Sequence, residues 1–424
     1  MKKIINHTII LLFMTHFSSA QFEPNYDETK VPVFPIPDLL TTFSGEIIKN
    51  SKDWNTERRP ELLNFFEENV YGKVPGTLDN TSFEVVERNE DALNGKAHRK
   101  QIEVTLQKGN RSLQFNILLY LPKYKDKVPL FLGYNFFGNH TITTDPNVLV
   151  SKAWTMNNEK LGITGNHATE ASRGVRNNRW AIDKILDKGF GLAVIYYGEV
   201  DPDKNDFSDG LHALFYTEGQ KQPKANQWGS IAAWAFGLGK ALDFLEKEKQ
   251  VDASKVIAFG HSRLGKAALW AAATDERFAG VISNNSGCGG AALSKRKFGE
   301  TIGHINTSFP HWFCDNFEKY NENEEALPID QHQLLALIAP RPLYVASAEE
   351  DQWADPKGEF LSTHYTSPVY SLFGKQGIAS QKMPEVNQPI HNMVSYHVRT
   401  GVHDVTDYDW EQYLIWAKRF IEQN

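Results

Sequence analysis

Two periodicities share most of this chain. Short runs rich in Val, Ile, Leu and aromatic residues recur at 83–87, 99–107, 113–121, 128–134, 191–197, 255–259, 279–283, 342–347 and 394–398. Their length and β-branched content are those of strands. Asn, Gly and Lys-Gly-Asn segments separate the first three, which predicts antiparallel neighbours leading into a sheet. The later runs alternate with helical spacing. Residues 58–72 place Leu62, Leu63, Phe66 and Val70 on one face, with Pro60 near the start and Gly72 as the stop. Residues 182–187 form a short helix that Gly189 ends. Ile231, Trp234, Ala235, Leu238, Ala241, Leu242 and Leu245 make one apolar stripe, which is a core-facing surface. An Ala/Leu-rich run follows residue 263, and a last helix spans about 409–421. Strands alternating with helices predict a mostly parallel, doubly wound sheet in a three-layer α/β sandwich, with antiparallel strands on its N-terminal side.

Two stretches keep neither period. Residues 21–52 are proline-rich and read as a lead lying along the surface. Residues 135–180 are rich in Asn, Thr and Gly around Trp154 and Trp180, and a segment this long in a compact fold is usually a functional loop. Repeats, heptads and separating linkers are not visible, so one domain is expected over 21–424.

Composition supports a large core, with 41% apolar residues and 10 Trp, 15 Tyr and 26 Phe, and argues against disorder. The start carries Lys2, Lys3, an apolar run and Ser18-Ser19-Ala20, the pattern of a secretory leader cleaved after Ala20. The run is too short, and too broken by Asn6 and His7, to span a bilayer, so an exported soluble protein with no membrane partner is expected. Losing Lys2 and Lys3 takes the formal charge from −7 to −9. An acidic chain without a Lys/Arg run excludes a nucleic-acid footprint. Cys288 and Cys314 leave two readings open, a disulfide in an oxidising compartment or two buried thiols.

The candidate chemistry sits where the strand at 255–259 meets the helix after 263. Gly260-His261-Ser262-Arg263-Leu264-Gly265 is a strand–Gly-x-Ser–helix turn, the context of a nucleophile elbow, with its second glycine one place late. A serine needs a base, and the base needs an orienting acid, in the order Ser, acid, His on loops after strands. After the strand at 342–347 come Glu349, Glu350, Asp351 and Asp355, which spacing alone does not separate. After the last strand comes His403, one of 14 histidines and set apart by position, while His397 falls within the strand itself. His261, His304, His311 and His332 show no zinc spacing, and Gly287-Cys288-Gly289-Gly290 is no phosphate loop, so neither metal nor cofactor is expected.

These segments resemble the bacterial glucuronoyl esterases, carbohydrate esterase family fifteen. The resemblance rests on Gly260–Lys266, Asp275–Phe278, Ser283–Ala292, Phe298–Thr301, Phe309–Phe313, Leu334–Pro342, Ala346–Pro356 and His403–Trp410. It implies an α/β-hydrolase fold and cleavage of the ester between (4-O-methyl-)glucuronic acid on xylan and lignin alcohols. It further implies Ser262 as nucleophile, His403 as base, and Arg263 as an oxyanion donor beside its own backbone N–H. Lys266, Glu300 and Trp353 match residues that hold the uronate ring. Many members carry a glutamate directly before the Ser-Gly-x-Gly-Gly segment; here that position is Asn285, and the match after the later strand is Asp351, which becomes the expected triad acid ahead of Glu349 and Glu350. Other readings are an acetyl-xylan or other carbohydrate esterase on the same fold, and a silent carbohydrate-binding module, against which the intact Ser–acid–His order speaks.

Overall fold

The computed structural model describes residues 23–422; the leader expected over 1–20 lies outside them. Nine strands form one sheet: β1 (Asn80–Asp91), β2 (Ala97–Lys108), β3 (Arg111–Pro122), β4 (Val128–Asn135), β5 (Gly191–Tyr196), β6 (Val251–His261), β7 (Gly280–Asn284), β8 (Leu343–Ala348) and β9 (Val394–Arg399). Their spatial order is β1-β2-β3-β5-β4-β6-β7-β8-β9. The pairings β1–β2, β2–β3 and β3–β5 are antiparallel, and all those from β5 to β9 are parallel.

Burial follows from topology. Strands β4, β5, β7, β8 and β9 are buried along their whole length, because parallel strands carry helices on both faces. That is why they read as unbroken apolar runs. Edge strand β1 is largely exposed and polar, so its apolar run at 83–87 marks only the middle of a longer strand, which a bulge between Val85 and Glu87 bends.

The pleat sorts side chains into two cores. Leu130, Leu132, Val256, Ala258, Val281 and Val345 face one layer, and Phe131, Ile257, Phe259, Ile282 and Tyr344 the other. The first is covered by α1 (Arg59–Asn69), α3 (Ser230–Leu245) and α4 (Arg263–Thr274); the second by α2 (Ile182–Asp187) and α6 (Asp407–Ala417). In the second core Phe259 is surrounded by Trp180, Trp410 and Tyr413, with ring centroids 4.8–5.9 Å away. Each such burial is worth about 1.5–3 kcal/mol. Helix α6 begins two residues before its expected start because Thr406 and Asp409 close a capping box, and at Lys418 it loosens into a wider turn. The result is the α/β-hydrolase layout, with chain order reversing on either side of β4. In such sheets ligands bind beyond the carboxyl ends of the strands at that reversal, and β6 is the strand next to it.

The long segment after β4, up to residue 180, carries short 3-10 turns and isolated bridges such as Trp154–His167, and packs Trp180 into the second core. Cys288 and Cys314 are both buried free thiols, the second of the two readings.

Candidate active site

Strand β6 ends at His261, and Ser262 turns the chain into α4 with φ 59° and ψ −133°. A non-glycine residue is strained there, and the surroundings hold it: its N–H donates to Asn284 O at 2.8 Å, and its carbonyl accepts from Gly265 N at 2.8 Å. A Cβ on Gly260 would overlap the Leu264 carbonyl, which makes glycine obligatory at that position. A Cβ on Gly265 would sit 3.1 Å from Gly260 O, Ser283 Oγ and Ser286 Cβ, so the late glycine is where the helix crosses the strand most closely. Arg263 is the first helical residue, where a backbone N–H has no intrahelical acceptor.

The expected acid, Asp351, lies on the loop after β8. Asp351 is buried, and its Oδ2 accepts from His403 Nδ1 at 2.5 Å and from Asn285 Nδ2 at 2.7 Å. The other carboxylates of that loop do not reach His403 through a hydrogen bond. Asp355 pairs with Arg296 and caps α5 (Pro356–Tyr365), while Glu350 is exposed and Glu349 half-buried. Asn285, on the loop after β7, therefore acts as a donor to Asp351.

His403 is carried by the loop after β9, and Arg399 holds that loop in shape. Its guanidinium donates to the carbonyls of Thr400, Val402 and Asp404, while Asp409 on α6 accepts from its Nε at 2.8 Å. His397 lies inside β9 and bonds Asp409 at 2.9 Å, away from the cavity. The ring of His261 packs 4.5 Å from that of His403. Burial, and then the neighbouring His403, push His261 well below the usual histidine range, which favours its neutral form.

Ser262, Asp351 and His403 line one cavity of about 340 Å³ together with Arg263, Lys266, Asn285, Glu300, Trp312 and Trp353. Lys266 and Glu300 are both buried, 4.0 Å apart. Burial lowers the lysine and raises the carboxyl, and each is opposed by the other's charge. Lys266 Nζ also donates to Ser286 O at 2.7 Å. Trp353, half-buried, accepts from the Glu300 N–H through its backbone carbonyl at 3.0 Å and presents its ring edge-on to His304. The cavity thus offers an apolar wall, a cation and a carboxylate that together suit a hydroxylated ring. Each of the seven site residues expected from the sequence lies on it.

Other contributors carry no motif. Glu359 on α5 is fully buried beneath the cavity; its Oε1 accepts from the N–H groups of Ser286 and Gly287, and its Oε2 is hydrogen-bonded to Ser347 Oγ. Asp203, in a turn after β5, is the partner of Arg263. In the sequence Asp203 falls in an Asp-Pro-Asp turn cluster and Glu359 in no element read there, and only a buried environment distinguishes them.

Comparison with known proteins points to one family. A model of the fungal glucuronyl esterases matches residues 178–374. The chain is 49% identical over 394 residues to a carbohydrate esterase of an unknown prokaryotic organism, covering 93% of this chain and 91% of that protein. Among solved structures it resembles a promiscuous esterase of carbohydrate esterase family fifteen from the marine bacterial metagenome, at 48% identity and TM-score 0.89, over 94% of this chain and 100% of that one. It also resembles the glucuronoyl esterase from Solibacter usitatus, at 47% identity and TM-score 0.86, over 92% and 99%.

Proposed function

The chain belongs to the glucuronoyl esterases of carbohydrate esterase family fifteen and is a carboxylic ester hydrolase; from that premise we propose that it cleaves (4-O-methyl-)glucuronate esters such as those joining glucuronoxylan to lignin alcohols, through an acyl-enzyme on Ser262. The observation that carries this reading is the 2.5 Å bond from His403 Nδ1 to Asp351, in a cavity shared with Ser262 and the Lys266–Glu300–Trp353 group.

Ser262 Oγ attacks the uronoyl carbonyl while His403 takes its proton, and Asp351 orients the ring and stabilises the imidazolium. The backbone N–H and guanidinium of Arg263 face the developing oxyanion. His403 then protonates the departing alcohol. Water, deprotonated by the same imidazole, attacks the acyl-enzyme; the C–Oγ bond breaks, His403 returns the proton to Ser262 Oγ, and the free uronate leaves. Lys266, Glu300 and Trp353 hold the sugar ring, and this chemistry calls for no cofactor.

Steady-state kinetics on benzyl glucuronate with wild type and Ser262→Ala test the reading. Turnover by wild type and its loss in the variant are expected; a variant as active as wild type would sink it. The marine metagenome relative is described as promiscuous, which supports a second reading as a broader carbohydrate esterase, including acetyl-xylan. A clear preference for an acetylated sugar over benzyl glucuronate would favour that alternative. Export rests on the leader pattern over 1–20, and among the described residues no helix is long and apolar enough to cross a membrane. Mass analysis of the protein recovered from a secreting host should find Gln21 at its N-terminus.

A further inference from the structure

A guanidinium beside a nucleophile helps a transition state only if it is already aimed when charge develops. Arg263 sits at the end of a flexible stem, and its own backbone does not aim it. Its surroundings do. The guanidinium lies 4.7 Å from the ring centre of Trp312, 5.6 Å from Phe309 and 5.7 Å from Phe136, and it is paired with Asp203. Among the described residues Asp203 is the hydrogen-bond partner of its side chain, and Arg263 Nε is buried without one.

Asp203 is itself buried, and its two oxygens divide their work. Oδ1 accepts from His311 Nε2 at 2.8 Å and from Trp312 Nε1 at 2.7 Å. Oδ2 accepts from Tyr197 OH at 2.9 Å and from Arg263 Nη1. Burial alone would raise this carboxyl, but the His311 hydrogen bond and the Arg263 charge outweigh it and hold the group well below the usual carboxylate range. One oxygen thus anchors the 309–313 wall of the cavity, and the other anchors the arginine.

We propose that Asp203 is a positioning residue for the oxyanion site, its Oδ2 fixing Arg263 against the Trp312 and Phe309 rings so that the remaining guanidinium N–H groups face the carbonyl carried by Ser262. The proposal rests on the reading of Arg263 as an oxyanion donor. An arginine can serve both sides because its planar fork carries five N–H donors, whereas a lysine offers one compact charge. The carboxylate offsets part of the positive charge, and what it supplies is preorganisation, so its loss should appear in kcat and leave substrate binding nearly unchanged.

Asp203→Asn isolates the effect. An amide oxygen in place of Oδ1 still accepts from His311 and Trp312, while an NH₂ in place of Oδ2 meets Arg263 donor to donor. On benzyl glucuronate, Asp203→Asn should lower kcat about 10–100-fold with KM within about threefold. In an Arg263→Ala background the same change should alter kcat by less than about twofold, since the residue acts through the arginine. An equal loss with and without Arg263, or a change in KM alone, would overturn the role of Asp203 and leave that of Arg263 standing. Full activity in Arg263→Ala alone would instead overturn the reading of Arg263, and Asp203 with it. Should Asp203→Asn not fold, Arg263→Lys decides: kcat close to that of Arg263→Ala supports the proposal, and wild-type kcat overturns it.

Discussion

Asn285 and Asp351 show how one residue changes the meaning of its neighbour. Asn285 follows β7 with φ 47°, and its Nδ2 donates to the oxygen of Asp351 that also meets His403. A carboxylate at position 285 would set two like charges at hydrogen-bond distance, whereas the amide donates a hydrogen bond to Asp351. Asp351→Asn should lower kcat about 10³–10⁴-fold, since a neutral amide no longer stabilises the imidazolium or fixes its tautomer. Glu350→Gln should leave kcat within about twofold, as an exposed surface change. Kinetics on the two variants check both, and the reverse pattern would move the acid to Glu350. Spacing did not separate these acids in the sequence, because four carboxylates follow one strand and only loop geometry decides which reaches His403. The family resemblance separated them, through the amide at 285.

At the level of elements, the elbow depends on how closely α4 crosses β6. Gly260→Ala would drive a methyl group into the Leu264 carbonyl, which is backbone and has no rotamer to change. A loss of about 2–3 kcal/mol or more in urea unfolding is expected, well above the few tenths expected at an exposed site. Wild-type stability would show that the turn can relax. Strands β4, β5 and β7 to β9 were legible as apolar runs because both of their faces are covered, and α3 because its stripe repeats at the helical period. The full length of β1 was not, since a solvated edge strand needs few apolar residues. Nor was the onset of β6, where one buried residue, Val251, is followed by Asp252, Ala253, Ser254 and Lys255, which are half-buried or exposed.

Across the whole molecule, buried titratable groups fix how stability depends on pH. Burial pulls His140 and His332 down to about 4, and holds His261 well below the usual histidine range. Below about pH 6.5 the unfolded chain binds protons at these imidazoles that the folded chain refuses, so stability rises with pH up to there. Glu359 acts in the opposite sense. Burial lifts it to about 8, so the folded chain keeps a proton that the unfolded chain loses, and the stability it contributes fades as pH rises through about 8. Asp330, lifted by burial to about 6, adds a smaller decline at lower pH. Asp409, held low despite burial by His397 and Arg399, contributes stability that is lost as pH falls through its depressed range. The melting temperature should therefore peak between about pH 6 and 7 and fall by several degrees toward pH 9. Glu359→Gln should flatten that alkaline limb in thermal scans; an unchanged slope would clear Glu359 of the effect.

By itself the sequence determined the layered α/β class, the order of strands and helices, and the strand–Ser262–helix turn, because these follow from local period and from backbone demands that neighbouring residues impose. Family resemblance added a short set of chemically apt positions on later loops. Only the tertiary structure decided which of them meet, Asp351 at 2.5 Å from His403 and Lys266 against Glu300, and it alone brought in Asp203 on Arg263 and Glu359 beneath the Ser286 loop. Those pairings join residues far apart in the chain. What makes a carboxylate or a lysine part of a site is its burial and its partner, neither of which leaves a period in the sequence.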